Sequence, residues 1–104
     1  MPEAIDDDIR DALREIALGG SSPTGVQPLE PRLAAAATLG ALIALDAPPT
    51  TYIRQVTDAM SAGISAAEVL GVLETVTPHV GIPRAAAAAA EIMLALGLPL
   101  DEAM

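Results

Sequence analysis

Apolar residues in this chain recur three and four positions apart in one segment after another, and an apolar–polar alternation never persists beyond a few residues. A period near 3.6 marks amphipathic helices, while a period of two marks half-buried strands. Neither Asn-Gly nor Asp-Gly, the pairs that favour tight hairpins, occurs anywhere. The expected fold class is all-α, a small helical bundle of about five helices.

Ile5, Ile9, Leu13 and Ile16 set a first helix from Ala4 to Leu18, which Gly19-Gly20 stops. Asp6, Asp7 and Asp8 fall in its opening turn, where the helix dipole favours negative charge, so they serve the helix before they serve any metal. Ser21 to Pro28 has loop composition, and Pro31 is suited to open a second helix that runs to Leu45. That helix is apolar nearly all round, and the run Ala34 to Ala37 lets neighbouring backbones approach, so a buried central position is expected. Asp46 to Pro49 breaks the pattern. Thr50 or Thr51 then caps a third helix through Met60 that ends at Gly63, with Ile53, Val56 and Met60 as its core stripe.

Ser65-Ala66-Ala67-Glu68 is a capping box, in which each of the two polar side chains serves a backbone amide of the other residue. It is the most specific local signal in the chain. A fourth helix follows to about Thr77, with Val69, Val72, Leu73 and Val76 inward and Pro78 closing it. Pro83 opens a fifth, which carries Ala85 to Ala90 and ends before Gly97. The short links favour antiparallel neighbours.

A length of 104 residues fits one domain, with residues 1–28 as an N-terminal helix and loop and 29–97 as the core. Hydrophobic residues make up 52% of the chain, more than one protomer of this size can bury, which points to a homo-oligomer. The net charge of -9, with five arginines and no lysine, has the wrong sign for a phosphate backbone, so no nucleic acid partner is expected. The longest uncharged helical run, Leu33 to Leu45, is well short of the ~20 residues that span a bilayer. No membrane partner is expected. The acidic N-terminus lacks the basic and apolar regions of a signal peptide, so a cytoplasmic location is expected. With no cysteine there is no thiolate nucleophile, disulfide or cysteine metal site.

Four segments in order carry a family resemblance: Leu29-Glu30-Pro31-Arg32, then Thr38 to Leu45, then Ala59-Met60-Ser61-Ala62-Gly63-Ile64-Ser65 leading into Glu68, and Gly81-Ile82-Pro83-Arg84-Ala85-Ala86. Across roughly two thirds of its length the chain resembles the carboxymuconolactone decarboxylase family, which includes the alkyl hydroperoxidase D proteins. The resemblance implies a helical protomer that assembles into trimers or hexamers, with sites for a small-molecule ligand near subunit contacts. It also exposes departures. The peroxidase branch's Cys-x-x-Cys and His would sit within Pro48 to Gln55, where no cysteine exists, so thiol peroxidase activity is not expected. The decarboxylase branch's helix-three His falls on Gln55, which cannot shuttle a proton, and the family's helix-two Arg falls on Ala34.

His79 is the only histidine and stands where the resemblance places a Tyr before the Gly-x-Pro turn. An imidazole there is a candidate general acid or base that needs no cofactor, or else a cap on the end of the fourth helix. Glu74, among apolar neighbours, is a second candidate proton acceptor, with a solvated helix flank as its plainer role. Tyr52, Arg54 and Gln55 are the candidate substrate-binding residues; Tyr52 as the sole aromatic can equally be core, and Arg54 an ion-pair partner. Two functions follow as expectations. One is a cofactor-free lyase or isomerase acting on a small carboxylate or carbonyl compound. The other is a catalytically silent family member that binds a ligand or builds an oligomer. Convergence of His79, Arg54 and Glu74 on one pocket favours the first, and dispersal favours the second.

Overall fold

A computed structural model describes residues 7–20 and 29–98, and among these residues every regular element is a helix. The five are α1 (Asp7–Ala17), α2 (Pro31–Ala44), α3 (Pro49–Ser61), α4 (Ala66–Val80) and α5 (Ile82–Ala95). The expected start of the first helix at Ala4, Asp6 in its opening turn, and the Ser21 to Pro28 loop lie outside the described residues.

Each of α2 to α5 packs chiefly on two neighbours, giving the ring order α2, α3, α5, α4. Its centre holds Leu39 and Ile43 from α2, Tyr52, Val56 and Ala59 from α3, Val69 from α4, and Ala88 and Ile92 from α5. Arg32 at the start of α2 meets Glu68 at the start of α4, and eight residues further on in both helices a Cβ built on Gly40 would lie 3.4 Å from Val76. The two helices therefore run side by side in the same direction. By contrast α1 packs extensively on none of the other four and buries only Ala12.

The helix ends explain where the sequence reading slips. At the end of α3 the Gly63 amide donates to Met60 and the Ile64 amide to Ala59, a pairing that stops the helix and tucks Ile64 into the core. The same pair of bonds ends α2, with Asp46 in the left-handed position at φ 54°. The start of α3 is set by Pro49 in its first turn with Pro48 as the capping residue, and no side-chain cap forms there, so neither Thr50 nor Thr51 caps the helix. Pro78 does not close α4, which continues to Val80. A proline near a helix end removes only its own amide bond, and the last turn closes through the Gly81 amide on the Thr77 carbonyl. Helix α5 begins at Ile82 with Pro83 in its first turn.

Two burial expectations also change. Helix α2 is not central, since only Leu39 and Ile43 are buried and its outer side leaves Leu33 exposed. A four-helix ring gives every helix an outward face, whatever its composition. In α3 the core stripe is Tyr52, Val56 and Ala59, while Ile53 and Met60 are exposed. Val69 is buried, and Val72, Leu73 and Val76 pack against the core as the periodicity implies.

The capping box forms in full, with the Glu68 amide donating to Ser65 Oγ at 3.1 Å and the Ser65 amide to Glu68 Oε1 at 2.9 Å. Replacing Ser65 with Ala is expected to lower stability by about 1 kcal/mol, read as a shift in the urea midpoint at unchanged slope.

Candidate functional site

An open groove of about 690 Å³ lies between α2 and α4. Small residues make its floor: Ala36, Ala37 and Gly40 from α2, and Gly71 from α4, over which nothing stands within 4 Å. Leu33, Ile64, Val72, Thr75 and Val76 complete the walls. Glycine inside a helix is unfavourable for the helix itself, and at Gly40 a Cβ would sit in contact with Val76 at 3.4 Å.

One end of the groove is charged. The Arg32 guanidinium pairs with the Glu68 carboxylate, and its Nε donates to the Gly63 carbonyl at 3.3 Å. The Ser65 amide, and after it the Arg32 guanidinium, hold the Glu68 carboxyl below the usual carboxylate range. Glu68 in turn raises the Arg32 pKa still further. The Nε and Nη2 of Arg32 and both oxygens of Glu68 are used in joining the starts of α2 and α4 to the α3–α4 turn. Glu30 adds a second carboxylate at this end, accepting from the Arg32 amide at 3.3 Å.

The residues singled out from sequence do not gather here. His79 lies inside the last turn of α4, exposed, and its side chain makes no hydrogen bond or ion pair with the described residues. It is thus not a cap beyond the helix end. A helix of 3.6 residues per turn sets it about 20° from Glu68 around α4 and three turns along, in line with the groove but outside its lining. The same geometry puts Glu74 about 120° from Glu68, and it is exposed, a solvated flank rather than a buried proton acceptor.

Tyr52 is only 2% exposed and belongs to the core; its hydroxyl donates to the Leu42 carbonyl at 3.3 Å. Burial first, then the charges of Asp46 and Glu91, pushes its phenol above the ordinary tyrosine range. Arg54 is exposed on α3 and Gln55 half-buried, and neither side chain bonds to a described residue. The second arginine with a structural partner is Arg84, whose guanidinium donates to the Ala44 carbonyl and ties α5 to the end of α2.

No known family, characterised protein or solved structure matches the chain. The site must therefore be judged on its own chemistry. Among the described residues no three His, Cys, Asp or Glu side chains gather as a metal would need, and no helix is long and apolar enough to cross a membrane. What the groove offers is an apolar seat about two helical turns long, charged at one end.

The Arg32–Glu68 contact and the groove escaped the sequence reading. The signals for them were present: Arg32 one residue into a Pro-started helix, and Gly40 and Gly71 interrupting apolar helical runs, where an interior glycine marks close approach or open space.

Proposed function

We infer that this chain is a catalytically silent, carboxymuconolactone decarboxylase-like helical protomer that works as a structural or ligand-binding homo-oligomer, a trimer or hexamer. The observation that carries this reading is the dispersal of its chemistry-bearing residues. His79 stands in solvent, Tyr52 in the core, and Arg54 and Glu74 on exposed faces, with none of them lining the groove. A cofactor-free lyase or isomerase acting on a small carboxylate or carbonyl compound needs an acid or base beside a positioning cation in one pocket; the pair that lines the groove, Arg32 and Glu68, is taken up by its own ion pair, the Gly63 carbonyl and the Ser65 amide.

The apolar surface supports assembly. Leu33, Leu45, Leu70, Ile82 and Leu94 are each more than half exposed, on a chain whose core is made by only four of its five helices. Monomers seldom leave so much large apolar surface in water. Light scattering at micromolar concentration is expected to give a mass of three or six chains. A monodisperse particle of 10.5 kDa, the mass of one chain, overturns the proposal.

A further inference from the structure

Two apolar surfaces on this chain lack a cover, and they match each other. One is the groove between α2 and α4. The other is the stripe on α1 carried by Leu13 and Ile16, which are 59% and 54% exposed. Helix α1 spans about 16 Å, and the groove between the Arg32–Glu68 end and the Gly40–Val76 contact spans about 12 Å, so one helix fills it. The small floor residues allow a helix to lie close, and the open space over Gly71 takes a large aliphatic side chain.

Charge fixes the direction. Asp7 and Asp8 occupy the first turn of α1, and Arg14 and Glu15 its last. The start of the groove carries Glu30 and Glu68 around Arg32, while its far end lies towards His79 and Arg84. Laid antiparallel to α2 and α4, the helix keeps Asp7 and Asp8 away from Glu30 and Glu68 and turns towards them the end that carries Arg14 and Glu15, which together have no net charge. The helix dipoles then also oppose one another, which is the favourable arrangement.

We propose that α1 of one copy seats its Leu13–Ile16 stripe, antiparallel, in the α2–α4 groove of a second copy, closing a homo-oligomeric ring in which every arm and every groove is covered. The structure holds α1 off its own groove. Thirteen residues separate Ala17 from Pro31, a span of up to about 40 Å when extended, longer than the 30 × 27 Å cross-section of the molecule, so the arm reaches a neighbour. Passing an identical element from copy to copy is a low-cost route to assembly, and a head-to-tail contact of this kind forms a ring when its rotation closes.

This inference rests on the assembly reading above, and full-length point variants separate the two. Leu13→Asp/Ile16→Asp disables the arm on a helix that contributes nothing to the core cluster. Gly71→Trp fills the seat from the other side, and Ala37→Glu, at an exposed lining position, does so by charge should the tryptophan disturb the fold. Light scattering of each variant, with circular dichroism as the fold check, is expected to show a helical particle of one chain's mass where the wild type is oligomeric. An oligomer that persists in the arm variant overturns the arm-to-groove contact and leaves the assembly reading standing. One that persists in the groove variants but not in the arm variant shows arms pairing with arms, which also overturns it. A monomeric wild type overturns both proposals.

Discussion

Tyr52→Ala is expected to lower the unfolding free energy by about 3–5 kcal/mol, the usual loss for truncating a fully buried aromatic ring. The ring is 2% exposed among Leu39, Ile43, Val56, Val69 and Ile92, and no other aromatic exists to relax into the space. Small domains have only about 5–15 kcal/mol of stability in total, so the variant should unfold at a much lower urea concentration. Tyr52→Phe should cost about 1 kcal/mol or less, because the Leu42 carbonyl keeps a second donor in the Ala47 amide at 3.1 Å when the hydroxyl is lost. The pH dependence tests the same placement. The folded chain holds the phenol proton more tightly than the unfolded chain, so below about pH 10 the phenol adds no pH dependence. Stability then falls as pH rises through the unfolded and towards the raised folded value. That alkaline loss should vanish in Tyr52→Phe. A Tyr52→Ala chain that kept its urea midpoint but lost binding of a ligand would return Tyr52 to the surface role that its sequence neighbourhood suggested.

The elements were legible because helical periodicity and punctuation act locally. Ser65 and Glu68 meet within one turn, and the Gly63 stop needs only the carbonyls of Ala59 and Met60, so neighbours in sequence decide both. Pro78 misled because the position of a proline relative to the helix end, not its presence, decides whether a helix breaks. Burial was less legible. In α3 the run Tyr52, Ile53, Val56, Ala59, Met60 offers apolar residues over a broad arc, and only the neighbours α2 and α5 choose Tyr52, Val56 and Ala59 for the core. Hydrophobicity alone cannot rank Ile53 below Tyr52. The candidate site was the least legible part, because the groove is made by α2 and α4 lying side by side in one direction, a pairing set by the path of α3 and by contacts more than thirty residues apart. His79 drew notice as a rare titratable residue, yet rarity in composition carries no information about what surrounds a side chain in space.

The same chemical change at two glycines of α4 and its end should have opposite effects. Gly81 alone separates α4 from α5, at φ 90° and ψ 158°, a backbone region that residues with a Cβ essentially never occupy. Its amide ends α4 on the Thr77 carbonyl and its carbonyl accepts from Ala85, both at 3.1 Å, so the residue cannot rotate away without losing a helix end on each side. A Cβ there would meet nothing closer than Pro83 Cδ at 4.0 Å, which makes the cost one of backbone conformation and not of crowding. Gly81→Ala is therefore expected to destabilise by about 1–3 kcal/mol. Gly71 sits in the middle of α4 with open space around it, and Ala is the better helix former, so Gly71→Ala should stabilise by about 0.5–1 kcal/mol. Urea unfolding of both variants at one protein concentration reads the signs directly. Equal effects of the same sign would mean that α4 and α5 are not joined through a left-handed residue, and the packing of α5 against α3 and α4 would need another explanation.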